Sequence, residues 1–414
     1  MQGKALPGFR DFYPEDLSLK NHIFATWRAV AGRYGFEEYD GPPLEALELY
    51  TQKSGDEIVG QLYSFKDKGE RDVALRPEMT PTLARMVAAR VQALKKPIRW
   101  FSMPQLFRYE RQQRGRLREH FQLNMDIIGE AGPLADAELM AAGIDIMRAL
   151  GLGPQDVRLR VSDRRLVKAL LTKAGVPEDK HPAAFGAIDR SERVPQDVLK
   201  EMLTEAGFSA KQMTAVFSTA NLRDEAFTQA PEVAEPLAQA VAALKAMGLE
   251  DFVSIDLTIV RGLAYYTGIV WELFDAKKNL RAIAGGGRYD NLLDLPALGF
   301  GMGDVVLGEL LKERGAVPKA STELGAFLIA VGADDMPVML QLAHTLRDRG
   351  ISVEYGLRHV GVRKQLELAS ARGAARAVII GPEERAADVA VVRDLRTSTE
   401  AKVPLRQLLN GYFD

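Results

Sequence analysis

FVSIDLTIVRGLAYYTGIVWELF, residues 252–274, decides the fold. Two apolar runs, IDLTIV and IVWELF, flank the polar stretch RGLAYYTG (261–268). β-Branched and aromatic residues dominate both runs, so the reading is two strands with no helix between them. Strands with few intervening helices predict an antiparallel sheet and an α+β fold, not a doubly wound parallel one.

The same texture extends upstream. Residues 61–66 (QLYSFK) and 72–75 (DVAL) predict a hairpin around Asp67-Lys68-Gly69-Glu70. Strand-like segments at 98–109 and 120–129 are joined by a very basic loop, and VRLRVS (157–162) alternates as a strand should. Helical spacing predicts helices over 16–34, 80–94 and 134–150. FEEYDGPPLE (36–45) is extended, and Pro42 and Pro43 keep it out of a sheet interior. Residues 163–247 are helix-forming and without a convincing strand, which predicts a helical insertion between two parts of one domain, 1–162 and 248–315. AVPKASTEL (316–324) reads as a linker. Beyond it, 325–414, strands alternate with helices: AFLIAVG (326–332), a helix over 335–350, ISVEYG (351–356), a helix over 362–373 and AVIIG (377–381). That pattern predicts a small α/β domain.

Composition removes several classes of function. The chain has 414 residues, 47% hydrophobic, enough for two or three cores. A formal net charge of -2 leaves no general basic coat, so any nucleic-acid contact must come from local patches. The absence of cysteine excludes disulfides, cysteine-ligated zinc and thiol catalysis. Five histidines without metal-type spacing predict no metal site. The N-terminal MQGKALPGFRDFYPED lacks an apolar signal core, and no run of about 20 apolar residues follows. These features predict a soluble cytoplasmic protein with no membrane partner.

Five polar stretches could carry chemistry. RYERQQRGRLR (108–118) holds five arginines, whose rigid donor forks suit phosphate oxygens. In RPEMT (76–80), Glu78 offers a carboxylate for an amino group; the other reading is a helix N-terminus capped by Glu78 or Thr80. In RGLAYYTG, Arg261 and Tyr266 are an odd number of residues apart. A regular strand puts them on opposite faces, so a shared pocket needs a bend at Gly262. AGGGRYDNLL (284–293) lets a backbone approach a ligand closely but lacks the dinucleotide-fold spacing. GFGMGDVVL (299–307) has glycine at every second position before an apolar helix.

In this order and combination the stretches resemble the histidyl-tRNA synthetases of class II. The resemblance begins at GFRDFYPED (8–16) and runs through FRYERQQRGRLREHFQ (107–122), with RGLAYYTG and GGGRYDNLL its most specific pair. It ends at VRKQLELASARGAARAVIIG (362–381), similar to the family's anticodon-binding domain. It implies an antiparallel catalytic sheet in a homodimer that joins histidine to histidine tRNA using ATP and Mg2+. The helix 16–34 and the segment EYDGPPLE (38–45) resemble the dimer-forming motif, with Pro42 at its proline position. Arg108 and Arg261 are the implied catalytic arginines at the α-phosphate, with Glu110 near adenine and Arg116 near the outer phosphates. Glu78, Gln122 and Thr80 are implied at the amino group of histidine. Asp126 and Tyr266 are implied at its imidazole, with Tyr265 and Tyr289 in the same pocket. Arg111 and Gln113 are implied at the tRNA acceptor end. No side chain is implied as a metal ligand.

Three departures stand out. Ala264 replaces the family's aspartate, and Asp126 stands where many members carry glutamate. Val306 occupies the position of an arginine near the ATP γ-phosphate and adenine, leaving Arg116, Arg118 or Arg288 to supply that charge. The alternative is a non-catalytic histidine-binding paralogue: the regulatory subunit of ATP phosphoribosyltransferase, or a tRNA-binding regulator. Retention of 326–414 and of Arg108, Arg116 and Arg261 argues for the ligase.

Overall fold

The computed structural model describes residues 3–53, 59–110, 115–261, 266–277, 279–290, 294–317, 324–358 and 360–413. It divides into two compact units, Met1–Pro318 and Lys319–Asp414. The sequence expectations at Ala264 and at the bend of Gly262 lie outside the described residues, as does most of the linker.

The first unit contains β1 (Glu37–Glu38), β2 (Leu44–Ala46), β3 (Tyr63–Lys66), β4 (Asp72–Leu75), β5 (Ile98–Ser102), β6 (Gln105–Phe107), β7 (Glu119–Ile128), β8 (Val157–Asp163), β9 (Val253–Ile255), β10 (Ile269–Asp275), β11 (Ala284–Arg288) and β12 (Ala297–Gly303). Its main sheet runs β1-β5-β7-β12-β11-β10-β8-β9, with β6 paired separately to β7. All the pairings from β5 to β8 are antiparallel; the end pairs β1/β5 and β8/β9 are parallel. The α+β expectation therefore holds. β2, β4 and β3 form a second, antiparallel sheet.

Two predicted strands are corrected. The 98–109 segment breaks around Pro104, so β5 and β6 meet different stretches of β7. Of IDLTIV only Ile255 is in a strand. Asp256 Oδ1 accepts hydrogen bonds from Thr258 N at 3.1 Å and Thr258 Oγ1 at 2.7 Å, an Asx-type turn that takes the chain out of the sheet.

Strand alternation sorts the main sheet into two faces. Leu123, Met125 and Ile127 of β7, Phe300 and Met302 of β12, Trp271 and Leu273 of β10, and Leu159 and Val161 of β8 join one hydrophobic core. The helix Pro133–Ala149 covers this face and buries Leu139, Met140, Ile144 and Met147. Gly143 admits Trp271 beneath it: a Cβ there would lie 3.2 Å from the indole ring. Helices from Arg164–Lys173 to Pro231–Ala246 add Leu170, Leu203, Val216 and Leu237 to the same core.

The opposite face is polar and open. Gln122, Asn124 and Asp126 of β7 pair with Gly303, Gly301 and Gly299 of β12. Gly301 and Gly299 in turn pair with Gly285 and Gly287 of β11, and Gly285 with Glu272 of β10. The two-residue glycine spacing is thus the strand period, with Gly299, Gly301 and Gly303 on one face and Gly285 and Gly287 beside them. The reason is space, because neighbouring side chains lie across these strands. A Cβ on Gly299 would sit 2.0 Å from Asp126 Oδ1, and one on Gly301 2.8 Å from Gln122 Cδ.

The second unit contains β13 (Leu324–Ala330), β14 (Val353–Tyr355), β15 (Ala374–Ile380), β16 (Val389–Asp394) and β17 (Glu400–Pro404). They order as β14-β13-β15-β16-β17, parallel across the first three and antiparallel across the last. The helices Met336–Asp348 and Val362–Ala371 pack their apolar residues on the two sides of this sheet's core. The β16–β17 hairpin was not expected from the sequence.

Candidate functional site

A cavity of about 1020 Å³ lies over the polar face of the main sheet. Among the described candidates, Glu78, Thr80, Arg108, Glu110, Arg116, Gln122, Asp126, Arg261, Tyr266 and Tyr289 all line it. Arg111, Gln113 and Tyr265 lie outside the described residues.

One end of the cavity is a buried acid–phenol pair. Tyr289 Oη donates to Asp126 Oδ1, and both residues are buried. Burial pushes Asp126 up to about 7 against the lowering effect of that hydrogen bond. Tyr266 is also buried, and burial raises its phenol pKa although the nearby Arg261 lowers it. The Arg261 guanidinium lies 5.6 Å from the Tyr266 ring centroid. Arg261 itself has φ 56°, in the left-handed region, so its own backbone is not that of a regular strand. Arg164 Nη1 donates to the carbonyls of Val260 at 2.6 Å and Arg261 at 2.8 Å, which pins the segment.

RPEMT does not cap its helix. Met79 is the N-cap of Thr80–Arg90, with no side-chain cap hydrogen bond, and Glu78 lines the cavity. Arg76 instead anchors the segment through Asp40 Oδ1 at 2.8 Å and the carbonyls of Gly41 and Gln105 at 2.7 and 3.0 Å.

The other end is cationic. Arg108 Nε donates to the Pro77 carbonyl at 2.9 Å, and its Nη1 lies 3.9 Å from Glu110 Oε1. Arg116 is ion-paired to Glu110 and Arg261 to Glu272. His120 sits among these arginines; burial, then Arg108, Arg10 and Arg116, lowers it to about 3, so it stays neutral.

Two of the three proposed stand-ins for the missing arginine are corrected. Arg288 faces away, donating to the carbonyls of Glu130 and Gly132 at 3.0 Å each and pairing with Asp136 at 2.5 Å. Arg118 stacks 4.1 Å from the Tyr109 ring centroid and is not a lining residue.

Several lining residues escaped sequence reasoning. Glu272 reads as the polar member of an alternating strand, and only its pairing with Gly285 places it under Arg261. Arg160 is buried on β8, bonded to Asp256 Oδ2 at 2.7 Å and Glu192 at 2.6 Å. Asp189 and Arg193 reach the cavity from the helical segment 164–246 and pair with each other at 2.9 Å. Arg281, just before β11, also lines it. A charged residue inside an otherwise apolar strand was the available signal for Arg160 and Glu272; nothing local marked the others.

Residues 8–303 match the family model described as histidyl-tRNA synthetase, and residues 326–411 the one described as anticodon binding domain. The histidine--tRNA ligase of Opitutus terrae is 46% identical over 422 aligned residues, covering 98% of this chain and 97% of its own. The chloroplastic/mitochondrial histidine--tRNA ligase of Arabidopsis thaliana is 40% identical, over 97% of this chain and 85% of its own. Among solved structures, the histidyl-tRNA synthetase of Nostoc sp. PCC 7120 superposes with a TM-score of 0.83 over 99% of each chain, at 23% identity, which is a likeness of fold.

Proposed function

The chain belongs to the histidyl-tRNA synthetase family, and we propose that its cavity forms histidyl-adenylate from histidine and ATP and then charges histidine tRNA. The observation that carries the reading is that one cavity joins the Asp126–Tyr289 pair to Arg108 and Arg261.

Histidine lies at the acid–phenol end. Ionised Asp126 accepts the imidazole N–H, while Tyr266 and Tyr289 complete the ring pocket. Glu78 and Gln122 hold the ammonium, with Thr80 beside them. This orientation sends the carboxylate toward Arg108 and Arg261. One carboxylate oxygen attacks the α-phosphorus, the bond to the bridging oxygen of the β-phosphate breaks, and pyrophosphate leaves. The reaction needs alignment and positive charge, not a nucleophilic side chain. Arg108 and Arg261 supply the charge at the α-phosphate, with Glu110 near adenine and Arg116 near the outer phosphates. A terminal hydroxyl of the tRNA then attacks the histidyl carbonyl and releases AMP.

ATP enters as its magnesium complex, the ion carried on its phosphates. Among the described residues no cluster of three acidic or histidine side chains could hold a metal, and Glu110 and Glu272 already pair with arginines. Arg111 and Gln113 meet the acceptor end in this reading, and the second unit reads the anticodon. The reading includes a homodimer in the cytoplasm, supported for the dimer by the resemblance of residues 16–34 and 38–45 to the family's dimer-forming motif. Among the described residues no helix is long and apolar enough to cross a membrane. The regulatory-paralogue alternative is not favoured, because near-full-length relatives are histidine--tRNA ligases.

The test is exchange of labelled pyrophosphate into ATP. Exchange with histidine and with none of the other amino acids is expected; its absence in protein that still binds histidine would return the non-catalytic reading. Removing residues 319–414 is expected to keep exchange within a few-fold, because the first unit carries the whole cavity and its own core. Aminoacylation of histidine tRNA by the truncated protein should fall at least about 100-fold, as the lost contacts are to tRNA. Full charging by the truncated protein would contradict the role given to the second unit.

A further inference from the structure

We propose that Arg281 binds the terminal phosphates of ATP in place of the arginine that Val306 replaces. The inference rests on the adenylate-forming reading above. Arg108 and Arg116 face Glu110, Arg160 is bound to Asp256 and Glu192, Arg193 to Asp189, and Arg261 to Glu272. Arg281 lines the same cavity with an exposed side chain and makes no hydrogen bond or ion pair to any described residue.

Its position is fixed relative to Val306. Two residues after Arg281, the Ile283 carbonyl accepts the Gly303 N–H at 3.3 Å. Gly303 is the N-cap of the helix Asp304–Glu313, and Val306 lies in the first turn of that helix. Ile283 N donates in turn to the Leu273 carbonyl at 2.8 Å, so the backbone below Arg281 is held between β10 and β12. Val306 faces the hairpin that carries Arg116: its Cγ2 lies 3.2 Å from where a Cβ on Gly115 would be. Arg281 thus lines the cavity from the segment just before β11, where the Ile283 carbonyl meets the N-cap of that helix. Burial and then the positive charge of Arg116 lower its pKa, with Arg193 acting in the same direction and Glu110 and Glu272 opposing. Arg116 and Arg281 line one cavity, and a polyphosphate suits two guanidinium groups because it can engage both. Asp304 does not compete, being turned to Arg10 Nη1 at 2.9 Å and Phe121 N at 2.9 Å.

The test is steady-state pyrophosphate exchange by the full chain carrying Arg281→Gln or Arg281→Lys. In the Gln variant KM for ATP and for pyrophosphate should rise roughly 10- to 100-fold, the range for losing a charge-assisted phosphate contact. The Lys variant should recover much of that loss. Histidine affinity and thermal melting should be unchanged in both, and inhibition by AMP, which lacks the outer phosphates, should keep its constant. Unchanged KM values for ATP and pyrophosphate in Arg281→Gln overturn the inference, as does AMP inhibition weakened as much as ATP binding. Neither outcome touches the parent reading, which fails only if the unsubstituted protein shows no histidine-dependent exchange.

Discussion

Arg261→Ala is expected to lower histidine-dependent pyrophosphate exchange by about 1,000-fold or more, the scale for a cation that stabilises phosphoryl transfer. The side chain is set up for one task. Its backbone occupies the left-handed region at φ 56°, a conformation that costs a non-glycine residue on the order of 1–3 kcal/mol. Arg164 grips the adjoining carbonyls, and Glu272 grips the guanidinium. Gly285 keeps the space clear: its missing Cβ would fall 2.1 Å from Arg261 Nη1. Histidine binding should fall far less than exchange does, because the Asp126–Tyr289 pair does not include Arg261. Arg261→Lys should recover little, since a point charge cannot replace a fork held by a carboxylate. Gly285→Ala serves as an independent check. It leaves the cation in place but forces it aside, and exchange should fall in the same direction. Near-normal exchange in Arg261→Ala would remove this residue from the reaction.

Much of this was legible in the sequence because it is local. The alternation in VRLRVS and IVWELF gave β8 and β10, and the glycine spacing in GFGMGDVVL followed the strand period of β12. Pairing register was not legible. That Asp126 opposes Gly299 and Glu272 opposes Gly285 depends on strands far apart in the chain. Arg261 and Tyr266 had the wrong parity for one face of a regular strand, yet both line the cavity, and the left-handed backbone of Arg261 is something no propensity predicts. The turn after Ile255 was hidden because its apolar letters outvoted Asp256, whose side chain closes the turn. Arg288 and Arg118 looked like spare cations, since sequence cannot show that Asp136, two carbonyls and Tyr109 already engage them. Arg281 carried no local mark at all, and only the census of the cavity singles it out.

Asp126→Asn should weaken histidine binding by between about 30- and several thousand-fold, the range for removing one partner of a buried charged hydrogen bond. KM for ATP should be nearly unchanged, because the cationic end is left intact. The pH dependence identifies the group. Burial holds Asp126 at about 7, so the carboxylate that accepts the imidazole N–H is ionised above that pH and lost below it. Histidine affinity in the unsubstituted protein should therefore fall as pH drops through about 7, toward tenfold per pH unit. In Asp126→Asn that limb should vanish, leaving only the protonation of free histidine near about 6.5. The unliganded fold should show the opposite sign. A carboxyl whose folded pKa lies above its unfolded value of about 3.9 favours the native state fully below the unfolded value. That contribution is lost as pH rises through about 7, which makes the empty pocket a source of instability at neutral pH. Bound histidine gives the ionised carboxylate its donor, so the rise in melting temperature on adding histidine should be larger at pH 8 than at pH 6. Equal histidine shifts at the two pH values, together with an unaltered pH profile in Asp126→Asn, would place the imidazole elsewhere.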